Sequence, residues 1–242
     1  MPFQIFSGVY NTFAETKAVD RPFESSRWFE SSRKKVQTAY RKGVVSEESL
    51  LPMLAALNCR DNRVRIIDFG GGLGVFFPLV DGVLPAGVKL DFHVVDTAAS
   101  CRQGRACHSE EQRIHFHDQM PDNLEDVQII HLGSVLQYVD EWQDLLYRLA
   151  RYKAPYILLS DAMVGNIPTF ITVQDYYGQK IPFRFTNLDE LTKFFQNQLG
   201  YSLKFKAKYV STIQGVEGFY NMDNLPAEYR LDLPYTLLFQ LD

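Results

Sequence analysis

Apolar positions along the chain follow two rhythms, and the change from one to the other comes near residue 60. Before it the reading is helical. Phe29, Val36 and Tyr40 recur at helical spacing, Pro22 sits where a first turn tolerates proline, and Gly43 is a stop. A second helix is expected in SEESLLPMLAALN, with Ser46 as its cap and Glu47 and Glu48 in its first turn. Pro52 predicts a kink or a restart within it, and Leu50, Leu51, Leu54 and Leu57 are expected to face the core. The earlier stretch FSGVYNTFAETKAVDRPF carries aromatics without clear periodicity. It reads either as a flap over a pocket or as an arm packed on the body.

From residue 64 short apolar runs alternate with amphipathic stretches. Strands are expected at 64–67, 88–96, 113–118, 127–132 and 156–161, with helices in TAASCRQGRAC and DEWQDLLYRLARY. Five strands separated by helices predict a parallel, right-handedly connected α/β sheet. Between Asp161 and Thr186 the chain reads as a long aromatic connection, too apolar for disorder and therefore functional. Asn187 caps a further helix, with Glu190 three residues on and Gly200 as its stop. YSLKFKAKYV then alternates, with Leu203, Phe205, Ala207 and Tyr209 on one face, and YTLLFQL closes the chain. These last two predict an antiparallel pair at one end of the sheet.

The chemistry concentrates in VRIIDFGGGLG. A buried strand that ends in Asp68 and turns through Gly70, Gly71, Gly72 and Gly74 is a cofactor-binding corner, because a Cβ there would hold a ligand off the main chain. The dinucleotide spacing G-x-G-x-x-G fails, since its third place falls on Val75. The spacing that fits is D-x-G-x-G-x-G, the pattern of S-adenosylmethionine sites. Asp96 ends the next strand, where a carboxylate can accept both hydroxyls of a ribose. Asp118 or Gln119, at the third strand end, is placed to reach an adenine amine. Asp68 also has a structural reading, as a cap for the helix that follows.

Composition narrows the picture further. A chain of 242 residues with 46% hydrophobic and 22% charged residues is an ordinary globular one. A net charge of −4 argues against a nucleic-acid partner, and the basic cluster Arg33, Lys34, Lys35, Arg41 and Lys42 reads as a solvated helix face. Three cysteines without a CxxC fit a reducing compartment. Neither a signal peptide nor a membrane-spanning run is visible, so a cytoplasmic location is expected.

On DFGGGLG, HVVD, GSVLQYVDEW, PTFITVQ and NLDEL…LGY the chain resembles the class I S-adenosylmethionine-dependent methyltransferases. More narrowly it is similar to a bacterial family encoded among surface-polysaccharide genes. The resemblance implies a Rossmann-like α/β sheet, mostly parallel with an antiparallel terminal pair. An N-terminal helical cap would occupy 1–62 and the cofactor-binding catalytic domain 63–242, as one compact unit. It implies S-adenosyl-L-methionine as cofactor and O-methylation of a small-molecule or glycan acceptor; a homodimer is left open. The alternatives are an inactive methyltransferase-like binding module and an NAD-dependent oxidoreductase, the latter disfavoured by the glycine spacing.

The cofactor set is then Asp68, Gly70, Gly71, Gly72, Gly74, Asp96, Thr97, Asp118, Gln119, Gly133 and Ser134. The methyl end is expected at Gly133 and Ser134, which puts His131 and Tyr138 nearby as catalytic candidates, together with Asp161 at the fifth strand end. Gln137, Gln174, Asp175, Tyr176 and Tyr177 are the acceptor candidates, the last four as a lid. His131 has the alternative of a hydrogen-bonded core histidine, and Tyr138, Tyr176 and Tyr177 of packing residues. His115 and His117 share a strand face, but no third ligand at a matching spacing is visible, so no metal is expected.

Overall fold

The computed structural model describes residues 4–42, 50–176, 178–208, 210–213, 216–218 and 220–242. In chain order these form β1 (Phe6–Tyr10), α1 (Ser26–Lys42), α2 (Leu50–Leu57), β2 (Arg63–Phe69), α3 (Phe76–Asp81), β3 (Lys89–Val95), α4 (Ala98–Cys107), β4 (Ile114–His117) and β5 (Ile129–Gly133). There follow α5 (Trp142–Ala150), β6 (Tyr156–Ala162), β7 (Val164–Gly165), β8 (Phe170–Tyr176), β9 (Gln179–Asn187), α6 (Leu188–Phe194), β10 (Tyr201–Lys208), β11 (Ser211–Ile213), β12 (Val216–Gly218) and β13 (Tyr235–Leu241). Among the described residues no helix is long and apolar enough to cross a membrane.

The chain divides into two compact units, Phe23–Gly133 with Arg148–Leu158, and Met1–Pro22 with Ser134–Tyr147 and Leu159–Asp242. In the first, β2 lies between β3 and β5, parallel to both, and β4 adds in parallel outside β3. The chain therefore leaves β2 to one side through β3 and β4, then returns to β2's other edge as β5. Such a reversal of strand order opens a crevice at the carboxyl ends of the strands, where α/β sheets bind ligands. Val64, Ile66 and Ile67 of β2 are wholly buried, as are Phe92 and Val94 of β3 and Ile129 and Ile130 of β5. Helix α1 lays Phe29 and Val36 onto Leu73 of the glycine corner, while Tyr40, on the same stripe, is half exposed.

In α2, Pro52 falls within the first turn and is tolerated there without interrupting the helix, because that turn's N–H groups have no helical partners. Leu51 and Leu54 are buried as expected, but Leu57 at the helix end is exposed. Gly43, Ser46, Glu47 and Glu48 lie outside the described residues, as do Tyr177 and Tyr209.

The second unit sharpens two expectations. Of the N-terminal aromatic stretch, β1 packs as an arm, antiparallel to β8, and the 161–186 connection is not irregular but stranded: β8 pairs with β9, and β7 joins the far edge of β9. The physical reason is cross-strand burial. Phe6, Phe170, Phe183 and Phe185 stack into one apolar cluster with Met163, Ile167, Met222, Leu225 and Leu231. The hairpin turns at Gly178, whose φ of 77° suits glycine, and Asp175 Oδ1 accepts the Gly178 N–H at 3.0 Å. Asn187 caps α6 by accepting the Glu190 N–H, and Gly200 ends the following turn at φ 74°.

Strands β10 and β13 form the expected antiparallel pair. A bulge between Leu203 and Phe205 breaks the alternation, which leaves Phe205 exposed while Tyr201 is buried. The seven strands of the larger sheet run in the order β10-β13-β6-β5-β2-β3-β4.

Candidate functional site

The glycine corner is built around Asp68, which lies inside β2 and is wholly buried. His131, equally buried in the neighbouring β5, donates from Nδ1 to Asp68 Oδ1 at 2.8 Å. Register makes the pair, since Asp68 and His131 are direct partners across β2 and β5. Asp68 Oδ2 is also buried and has no hydrogen-bond partner among the described residues. It sits beneath Gly71, where any Cβ would overlap it. Asp68 does not cap the next helix, because α3 starts at Phe76 with Val75 at its cap position.

Gly72, at φ 59°, faces the indole of Trp28 from α1, 3.3 Å from where a Cβ would stand. Its N–H donates to Asp96 Oδ2 at 2.9 Å, and the Thr97 N–H donates to Asp96 Oδ1 at 2.7 Å. Asp96 thus ties the end of β3 to the glycine corner, with one further acceptor site on each oxygen. Thr97 acts as the cap of α4, its hydroxyl accepting the Ser100 N–H. Asp118 and Gln119 are exposed just past β4. Gly133 ends β5 against His131 and Phe76, the latter stacked edge-on to the His131 ring at 4.7 Å.

A second histidine, which the sequence reading did not single out, supports the corner from behind. His108 closes α4; its Nε2 N–H donates to the Leu73 carbonyl at 2.9 Å, so Nδ1 accepts from the Tyr40 hydroxyl at 2.7 Å. A carbonyl only accepts, which fixes the tautomer. Burial pulls the His108 pKa below its ordinary value, against the raising effects of the Leu73 carbonyl and Glu111. The unfolded chain therefore binds this proton more readily than the folded one. Its contribution to stability is complete above about pH 6.5 and declines as the pH falls below that toward the folded value. Urea unfolding between pH 7.5 and 5 is expected to show that loss, and His108→Asn is expected to flatten it.

The other unit holds the remaining candidates. Tyr138 donates its hydroxyl to Gln174 Oε1 at 2.9 Å, and burial holds the phenol well above its usual range. Gln137 is buried and donates to Ser134 Oγ at 3.0 Å. Ser134 and Asp161 both take positive φ, 52° each, uncommon for residues other than glycine. Asp175 is exposed and serves the hairpin turn, and Tyr176 is half-buried at the end of β8. Arg184, buried in β9, donates to the carbonyls of Val139 and Asp140 and lies over the Phe13 ring at 4.7 Å, fixing the segment after Tyr138.

Asp91 and His93 of β3 stand beside His115 and His117 of β4.

No sequence-family model and no curated protein matches the chain. Solved structures do. A chain of the Haloferax volcanii complex of the methyltransferase activator Trm112 superposes with a TM-score of 0.58 at 12% identity, over 93% of this chain and 99% of that one. Magnesium protoporphyrin IX methyltransferase from Synechocystis PCC 6803, with bound S-adenosylhomocysteine, gives 0.53 at 14%, over 92% and 97%. A structure described as a pericyclic reaction enzyme gives 0.51 at 10%, over 89% of this chain and 54% of that one. The fold is that of the Rossmann-like methyltransferases.

Proposed function

We propose that the chain is an S-adenosylmethionine-dependent methyltransferase acting at an oxygen of a small or sugar-like acceptor. The observation that carries this is the partnerless buried Oδ2 of Asp68 under the Cβ-free cradle of Gly71. A buried carboxylate oxygen without a partner is costly, and a donor brought by a ligand relieves it. The donor that suits this position is the ammonium of the cofactor's methionyl end. Asp96 would accept the ribose hydroxyls, and Asp118 or Gln119 the adenine amine. Solved neighbours with the same fold hold S-adenosylhomocysteine.

Bound there, the cofactor supplies a methyl group on a good leaving group, so the chain contributes chiefly by alignment and exclusion of water. His131 is a positioning residue in this reading: wholly buried, it holds Asp68 and does not meet the acceptor. Tyr138, with its raised pKa, stays protonated at neutral pH and serves as a hydrogen-bond donor rather than a base. Asp161 is kept as a catalytic candidate on the acceptor side, which Gln137, Gln174, Asp175, Tyr176 and Tyr177 would shape. The sugar-like class, with its link to surface polysaccharides, and the cytoplasmic location rest on the sequence resemblance alone.

S-adenosylhomocysteine at 100 times its Kd is expected to stabilise the protein by about 2.7 kcal/mol, with no shift from NAD. Stabilisation by NAD alone would overturn the reading. Methyl transfer from labelled cofactor into nucleotide sugars and small hydroxyl compounds then tests the reaction itself. One fold neighbour is described as a pericyclic enzyme. Binding without methyl transfer across a broad acceptor set therefore favours a second reading, in which the cofactor site persists but another reaction is run.

A further inference from the structure

Strand β3 places Asp91 and His93 on one sheet face, two residues apart, and β4 places His115 and His117 on the same face. Register sets His93 directly beside His115. Asp91 Oδ1 lies 2.9 Å from His93 Nε2 and 3.2 Å from His115 Nε2. In a tetrahedral site with bonds near 2.0–2.1 Å, neighbouring donor atoms stand about 3.3 Å apart. The two separations from Asp91 are close to that edge length.

We propose that Asp91, His93 and His115 form a binding site for a divalent transition-metal ion of the zinc class. The inference is independent of the methyltransferase reading. Its second support is His93 Nε2, on a side chain only 9% exposed, which is buried, has no aligned hydrogen-bond partner among the described residues and stands 2.9 Å from Asp91 Oδ1. The other ring nitrogen of His93 lies 3.0 Å from His117 Nε2. If Nδ1 of His93 carries the proton and donates it to His117, then Nε2 presents a lone pair. A ligand histidine whose second N–H is held by an outer partner is the usual arrangement at metal sites.

The carboxylate is prepared in the same way. Arg63 and Arg65 both hold Asp91 Oδ2, at 2.6 and 2.8 Å, which turns Oδ1 toward the histidines. The side chain of His115 is 44% exposed, which lets its ring, now stacked on His93 at 4.8 Å, turn toward an ion and leaves a side open to water.

The two guanidiniums on Asp91 oppose a cation and weaken the site. Two imidazoles with one carboxylate select zinc, cobalt or nickel over magnesium and calcium, which prefer all-oxygen sites.

Zinc alone, titrated into the metal-free protein by calorimetry, is expected to bind at one equivalent with a micromolar Kd. Cobalt in its place is expected to show the visible absorption of a low-symmetry, four-coordinate ion. His115→Ala, at a half-exposed position, should weaken zinc binding at least tenfold with unchanged circular dichroism, and Asp91→Asn should do the same. His117→Gln, which alters only the outer partner, should weaken it by about 10–100-fold. Absence of binding at 100 times a micromolar Kd, or binding unchanged in both His115→Ala and Asp91→Asn, overturns the proposal. The latter result would place the ion elsewhere.

Discussion

Asp68→Ala will cost about 1–3 kcal/mol of folding stability, the penalty of leaving a buried hydrogen-bond donor unsatisfied. Both Asp68 and His131 are wholly buried, so the abandoned His131 Nδ1–H has no water to turn to. The measurement is the shift of the urea midpoint at constant m-value. Replacing both residues by apolar ones of similar volume should recover much of the loss, because no buried polar group is then left unpaired. Asp68→Asn separates the structural role from the ligand role. It keeps an acceptor for His131 but removes the charge at the position of Oδ2. Stability should fall less than in Asp68→Ala, while stabilisation by S-adenosylhomocysteine should shrink. If the Asn variant responds to ligand as the parent does, the orphaned oxygen does not face the cofactor.

Asp96→Ala will raise the Kd for S-adenosylhomocysteine by about 100-fold or more, as read by calorimetry. The reason is additive: two hydrogen bonds to a charged acceptor are lost, each worth about 1.5–3 kcal/mol. In the ligand-free protein Asp96 also accepts the N–H groups of Gly72 and Thr97, so the glycine corner loosens as well. Thr97 is exposed, so water can meet its N–H, whereas Gly72 is buried; the unfolding midpoint should fall, but by less than in Asp68→Ala, where the abandoned donor has no exposed neighbour. An unchanged Kd would place the ribose away from β3.

Elements whose determinants are contiguous were legible in the sequence. The run from β2 through Gly74, the capping of α6 by Asn187 and its end at Gly200 each depend on residues a few positions apart. Where pairing across long separations decides the outcome, local pattern was insufficient. The N-terminal aromatics show no period of their own because β1 is completed by β8, with Phe6 opposite Gln174. The 161–186 stretch looked like a loop because Gly178 and two prolines interrupt its alternation, yet the phenylalanines of β8 and β9 bury one another across the hairpin.

The candidate site divides on the same line. By itself the sequence determined that a glycine corner follows a buried strand and that acids stand at successive strand ends, since these features need only neighbouring residues. Only the tertiary structure decided that Asp68 pairs with His131, that Tyr138 bonds Gln174, and that Asp91 and His93 complete a cluster with His115. Each of these joins residues of different strands or segments. Strand register, set by burial of one whole face at a time, brings them within bonding distance, and no spacing along the chain encodes it.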